Sequence, residues 1–124
     1  MQEKRTQPRI VVGLPAFIEL GAGANSRIKV LAIDLGIAGM SVCCPVALAQ
    51  GAHCRVEMRI PGETGRLIRV NCELIYSVLS QLSCEFRLGL RFVEFHDDDQ
   101  AVLQQYLDWR AGGSTAPAPA AKAG

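Results

Sequence analysis

From Cys54 to Ile60, and again from Ile68 to Tyr76, apolar and polar side chains alternate with a period of two. That periodicity constrains the fold more than any other feature, because only an extended strand with one buried face sends every second residue to a core. In the first segment Cys54, Val56, Met58 and Ile60 point one way, and Arg55, Glu57 and Arg59 the other. In the second, Ile68, Val70, Cys72, Leu74 and Tyr76 are assigned inward, with Arg69, Asn71 and Glu73 outward. Pro61-Gly62-Glu63-Thr64-Gly65 between them has turn chemistry, so the two segments read as one long antiparallel hairpin.

Phe86, Leu88, Leu90 and Phe92 alternate with Arg87, Gly89 and Arg91 in a further strand. Less regular strands are expected over Gly13–Leu20, Arg27–Ile33 and Gly39–Cys43, with Gly21-Ala22-Gly23-Ala24-Asn25-Ser26 as the turn between the first two. Strand follows strand with no helix between. An antiparallel sheet of this size must close on itself or leave edges exposed, which favours a small barrel. One helix comes after the strands. Val102, Leu103, Tyr106 and Leu107 form its apolar stripe, Asp97-Asp98-Asp99 supply cap and first-turn carboxylates, and Gly112-Gly113 stop it. The Ala/Pro-rich stretch 112–124 reads as a disordered tail.

At 124 residues the chain makes one domain, and 49% apolar content suits a single packed core. A formal net charge of +1 argues against a protein that coats a nucleic-acid polymer. No apolar run reaches the roughly 20 residues that span a bilayer, and Met-Gln-Glu-Lys-Arg has no secretory pattern, so a cytoplasmic location without membrane insertion is expected. The five cysteines (Cys43, Cys44, Cys54, Cys72 and Cys84) make no metal-ligand spacing. They are expected to be free thiols, Cys54 and Cys72 serving as small buried apolar groups. No catalytic arrangement of Ser/His/Asp, Cys/His or paired carboxylates stands out, nor a Walker-type phosphate loop, and no metal or cofactor is implied. His53 and His96, at strand boundaries, are given no chemical role, and Trp109 is read as a packing residue.

Two motifs carry chemistry. Lys4-Arg5-Thr6-Gln7-Pro8-Arg9 places two guanidinium forks in a short basic segment. Asp34-Leu35-Gly36-Ile37-Ala38-Gly39 sets a carboxylate at the edge of a glycine-punctuated turn. An arginine fork matches a phosphate bidentately, and equally the O6 and N7 acceptors of guanine. A carboxylate accepts from the N–H groups on the opposite guanine edge. Read singly, the first is a solvated basic chain start and the second an ordinary turn. Together they suit a small anionic ligand with a planar purine edge.

In this order the motifs resemble those of the PilZ domain family, RxxxR followed by D/N-x-S-x-x-G. Pro8-Arg9-Ile10 leading into Leu14-Pro15-Ala16-Phe17-Ile18, and Gly89-Leu90-Arg91-Phe92, extend the resemblance over about Lys4 to Arg110. The resemblance implies an all-β, six-stranded antiparallel barrel over residues 10–111 with one C-terminal closing helix. It implies a flexible ligand-binding arm over residues 1–9. The implied ligand is cyclic di-GMP, with Lys4, Arg5, Arg9, Asp34, Gly36 and Gly39 as ligand-binding positions. Arg5 and Arg9 would grip guanine and phosphate, Asp34 a guanine edge, and Gly39 would let backbone approach closely. Position 36 is glycine where the family pattern has serine, which removes one hydrogen bond worth about 0.5–1.5 kcal/mol.

The expected activity is therefore that of a non-catalytic bacterial second-messenger receptor. Its output, by resemblance, lies in motility, biofilm or virulence control through a protein partner that is not identified. The rival reading is a PilZ-like adaptor that has lost ligand binding, for example in pilus assembly. A single-stranded nucleic-acid binder would need exposed aromatics over a basic groove, and aromatics are 6% of the chain.

Overall fold

The computed structural model describes residues 9–21, 27–62, 65–80 and 85–112. Six strands precede one helix: β1 (Arg9–Glu19), β2 (Arg27–Gly36), β3 (Gly39–Cys44), β4 (His53–Arg59), β5 (Leu67–Leu79), β6 (Phe86–Phe95) and α1 (Asp99–Arg110). Every pairing is antiparallel, and the order β1-β2-β3-β6-β5-β4 closes through a β1–β4 ladder. The all-β barrel with a C-terminal helix is as expected. Closure pairs every strand on both sides, so no long edge is left open to other chains.

The alternating residues fill the lumen. Val56, Met58, Ile68, Val70 and Leu74 from the hairpin meet Ile18, Val42, Leu88 and Leu90, each 1% exposed or less. Burying one such side chain is worth roughly 1.5–3 kcal/mol, so the interior face supplies most of the drive to close. The outward positions of β4 and β5 are joined by ion pairs instead. Glu57 is only 8% exposed because Arg27 and Arg69 cover it, at 2.8 and 3.2 Å.

Leu103, Tyr106 and Leu107 of α1 join the same core. Asp98 and Asp99 take the N-cap and first-turn positions expected of the acidic triplet, but their carboxylates bond elsewhere. Asp98 occupies the N-cap position but makes no side-chain cap; its carboxylate takes Arg66 at 2.6 Å. Asp99 accepts from Arg66 at 3.0 Å and from the Arg69 backbone N–H at 2.9 Å. The carboxylates therefore clasp the helix to β5, because a partner from across the chain outcompetes the helix's own amides. His96, given no chemical role, has its Nε2 3.2 Å from Asp97 Oδ2. Cys43 is disulfide-bonded, which departs from the expectation that all five thiols are free. No helix among the described residues is long and apolar enough to cross a membrane.

The pairing register shifts at four places among the described residues, between Val11 and Leu14, Ala32 and Asp34, Asn71 and Cys72, and Leu74 and Tyr76, and two of these set the outer wall. A register shift between Ala32 and Asp34 in β2 inserts Ile33, so that Leu35 takes the interior and Asp34 the outer wall. A second shift, between Leu74 and Tyr76 in β5, inserts Ile75 and turns Tyr76 outward to 36% exposure. The inward assignment of Tyr76 is thus corrected. One extra residue in a strand exchanges its two faces from that point on.

Candidate functional site

The two bulges bring Asp34 and Tyr76 onto one outer row. In register across four strands, Asp34 of β2 faces Ser41 of β3, Ser41 faces Gly89 of β6, and Gly89 faces Tyr76 of β5. A Cβ on Gly89 would overlap Cδ2, Cε2 and Cζ of Tyr76, so the missing side chain is what lets the ring settle on the wall. The Tyr76 hydroxyl reaches the Ser41 Oγ at 3.4 Å. Ser41 is fully covered, with Arg9 Nη1 at 3.5 Å on its other side.

Arg9, the first residue of β1, pairs with Gly36. Its guanidinium donates to Asp34 Oδ1 at 2.9 Å, while Arg87 of β6 donates to Oδ2 at 3.3 Å. One carboxylate is held between two guanidinium groups, its side chain 14% exposed against 18% for Arg9 and 37% for Arg87. The shorter contact is charge-assisted and of good length.

Gly39 stands opposite Arg91. A Cβ there would overlap the Leu90 carbonyl oxygen and meet Arg9 Nη2 at 3.0 Å. Its dihedral is not in the left-handed region, so the glycine serves close packing against backbone and the Arg9 fork. Gly36 likewise needs no positive φ. Arg91 itself hydrogen-bonds Glu73 across β5–β6 and holds that carboxyl below the usual carboxylate range.

Of the residues expected to bind ligand, the structure brings Arg9, Asp34, Gly36 and Gly39 together at one end of the β1–β2–β3 wall. Lys4 and Arg5 lie outside the described residues. Sequence reasoning missed Ser41, Tyr76 and Arg87 at this site. A signal for Arg87 was present, because Arg87, Gly89 and Arg91 share the outward phase of β6, and a glycine there marks a close approach. Tyr76 had no such signal, since its phase changes only at the bulge.

The arrangement combines an acceptor carboxylate, two guanidinium forks and a half-exposed aromatic ring within one surface. It suits a ligand with anionic oxygens and a flat hydrogen-bonding edge.

The sequence model of the PilZ domain matches residues 3–109. Among solved structures, the chain is similar to the Bacillus subtilis inhibitor of motility MotI/DgrA at 21% identity and TM-score 0.76, covering 89% of this chain and 52% of that one. It is also similar to Escherichia coli YcgR, solved in complex with c-di-GMP, at 21% identity and TM-score 0.68, covering 88% and 46%. The PilZ domain of YcgR with c-di-GMP matches at 22% identity and TM-score 0.60, over 88% of this chain and 98% of that one. The chain thus spans about half the length of the MotI/DgrA and YcgR chains it matches. Among curated proteins none matches the sequence. With the family's pattern matched over the whole barrel and helix, and the same architecture found in PilZ-domain structures, the chain belongs to the PilZ domain family.

Proposed function

We propose that this protein is a non-catalytic receptor for cyclic di-GMP, bound on the outer wall of the barrel around Arg9, Asp34 and Tyr76. The observation that carries the reading is the Asp34 carboxylate held between Arg9 and Arg87, with the Tyr76 ring in the same cross-strand row. Asp34 accepts from a guanine edge. Arg9 and Arg87 turn their forks to phosphate or to the O6/N7 edge. Tyr76 offers a ring face on which a purine stacks. Relatives of the same fold solved with this ligand support the reading.

On this reading the Arg9–Asp34–Arg87 cluster is the resting state of the site. The ligand displaces part of it and draws Lys4 and Arg5 onto the wall beside Arg9. The rearranged segment then presents a new surface to a partner protein. A ligand shifts such an equilibrium only by the contacts it makes in one state alone, and those contacts are the two forks of Arg5 and Arg9.

The adaptor reading keeps one specific observation in its favour. Gly36 lacks the hydroxyl of the family pattern, and both Asp34 oxygens already have protein partners. Calorimetric titration of the full chain with cyclic di-GMP decides between the two. Saturable heat with micromolar or tighter affinity is expected. No heat, together with no chemical-shift change at high ligand concentration, rejects the receptor and leaves the adaptor.

A further inference from the structure

Cys54 of β4 and Cys72 of β5 stand directly opposite each other in the antiparallel ladder. Residues so placed have Cα atoms about 4.5–5.5 Å apart, inside the roughly 4.4–6.8 Å that a disulfide spans. Both side chains point into the barrel and both are free thiols, and Cys72 Sγ donates to the Val70 carbonyl oxygen at 3.6 Å. No rearrangement of the strands is needed to join them.

Cys72 is fully buried and Cys54 is 7% exposed, yet both line a cavity of about 530 Å³ whose other walls include His53, Arg55 and Asn71. Glu19, Leu20 and Val93 line it too, and Glu19 neutralises Arg55 at 2.5 Å, so what the cavity supplies is a path by which a small molecule reaches the sulfur. The two thiols are unequal. The neighbouring Cys72 thiol draws the Cys54 thiol down, whereas Cys54 beside it, and then burial, push Cys72 up. The third free thiol, Cys44, lies on β3, which pairs with neither β4 nor β5, and burial pushes it up.

We propose that Cys54 and Cys72 form a hydroperoxide-reactive dithiol, with Cys54 as the attacking sulfur and Cys72 as the resolving one. Cys54 gives up its proton and attacks the terminal peroxide oxygen. An S–O bond forms, the O–O bond breaks, and the departing alkoxide leaves as the alcohol with one proton. Cys54 is then a sulfenic acid. The Cys72 sulfur attacks it, the S–S bond forms and the S–O bond breaks. The hydroxide leaves with the Cys72 proton as water. One hydroperoxide is reduced and two thiols are oxidised. The pair faces the lumen, whereas Arg9, Asp34 and Tyr76 stand on the outer wall, so this inference does not depend on the ligand proposed above.

The test treats the full-length protein with hydrogen peroxide, blocks remaining thiols in denaturant and maps the cysteines by mass spectrometry. A Cys54–Cys72 peptide lighter by two hydrogens, reversed by reductant and retained in Cys44→Ser, is expected. Cys72→Ser is expected to leave a sulfenic acid on Cys54 that dimedone traps. The wild-type map needs no variant, so a Cys72→Ser protein that fails to fold leaves the test intact. Cys54 and Cys72 both still alkylated, a bridge to Cys44 instead, or first oxidation at Cys72 would each overturn the proposal.

Discussion

The Tyr76 ring fills the space in which a side chain on Gly89 would stand. Gly89→Ala therefore pushes the ring off the barrel wall. Because the ring is half-exposed it swings toward solvent, so the cost stays near the lower end of overpacking, about 1 kcal/mol, or about 4 °C in melting temperature for a domain of this size. Affinity for cyclic di-GMP is expected to fall by more than stability does, as does that of Tyr76→Ala. Unchanged affinity in both variants, measured by titration beside thermal melting, removes Tyr76 from the site.

Gly39 makes the contrasting case. The group that a Cβ there would meet is the Leu90 backbone carbonyl, with the Arg9 fork just behind, and backbone cannot swing aside. Gly39→Ala is expected to cost about 3 kcal/mol and to loosen Arg9 from Asp34. A melting curve close to that of the wild type would show that β3 and β6 can separate there without penalty.

Arg9 is part of the strand and of the site at once. Arg9→Ala leaves Asp34 still paired with Arg87, so the stability loss is expected at about 1 kcal/mol, closer to an exposed ion pair than to a buried one. Ligand affinity is expected to fall roughly tenfold to a hundredfold, the worth of one charge-assisted or bidentate contact. Arg9→Lys rescues only in part, since an ammonium has no planar fork. Arg5→Ala is expected to lower affinity with stability within about 0.5 kcal/mol of wild type. Melting and titration on the same variants separate the two effects, and full rescue by lysine rules out a bidentate role.

Gly36→Ser restores the family hydroxyl where the backbone needs no positive φ. Binding is expected to tighten by up to about tenfold, as one good hydrogen bond contributes on the order of 1 kcal/mol. Weaker binding with a lower melting temperature would show that the glycine is required by packing against β1.

Three exposed ion pairs contribute modestly to the acid limb of stability. Arg66 beside Asp98, Arg91 beside Glu73 and Arg55 beside Glu19 hold these carboxyls below their ordinary values, chiefly through side-chain hydrogen bonds. A carboxylate with a lowered folded pKa stabilises fully above its unfolded pKa, about 4, and loses that contribution as pH falls through the folded value. The melting temperature is therefore expected to hold from about pH 7 to about pH 5 and to fall below about pH 4. Arg66→Ala removes the Asp98 share, so its acid decline is shallower from a lower starting point. An equally steep decline in that variant would place the acid sensitivity elsewhere.

Much of the barrel is written in the chain. Cys54 to Ile60 and Ile68 to Leu74 alternate without a break, and burial of one face leaves a hairpin as the only consistent outcome. The apolar stripe of α1 and the approach of Arg9 to Asp34 follow from side-chain type and from motif order. The placement of Tyr76 does not, nor does that of Asp34 on the outer wall. Each depends on a single inserted residue, Ile75 or Ile33, and an insertion of that kind has no local signature. It arises because closing the barrel demands a register that the neighbouring strands impose. The same closure sets Arg87 beside Asp34, 53 positions apart in the chain, and lays Cys54 against Cys72. Periodicity settles which residues are buried along one strand. Only pairing among six strands settles which outward residues become neighbours, because that depends on registers summed around the whole ring.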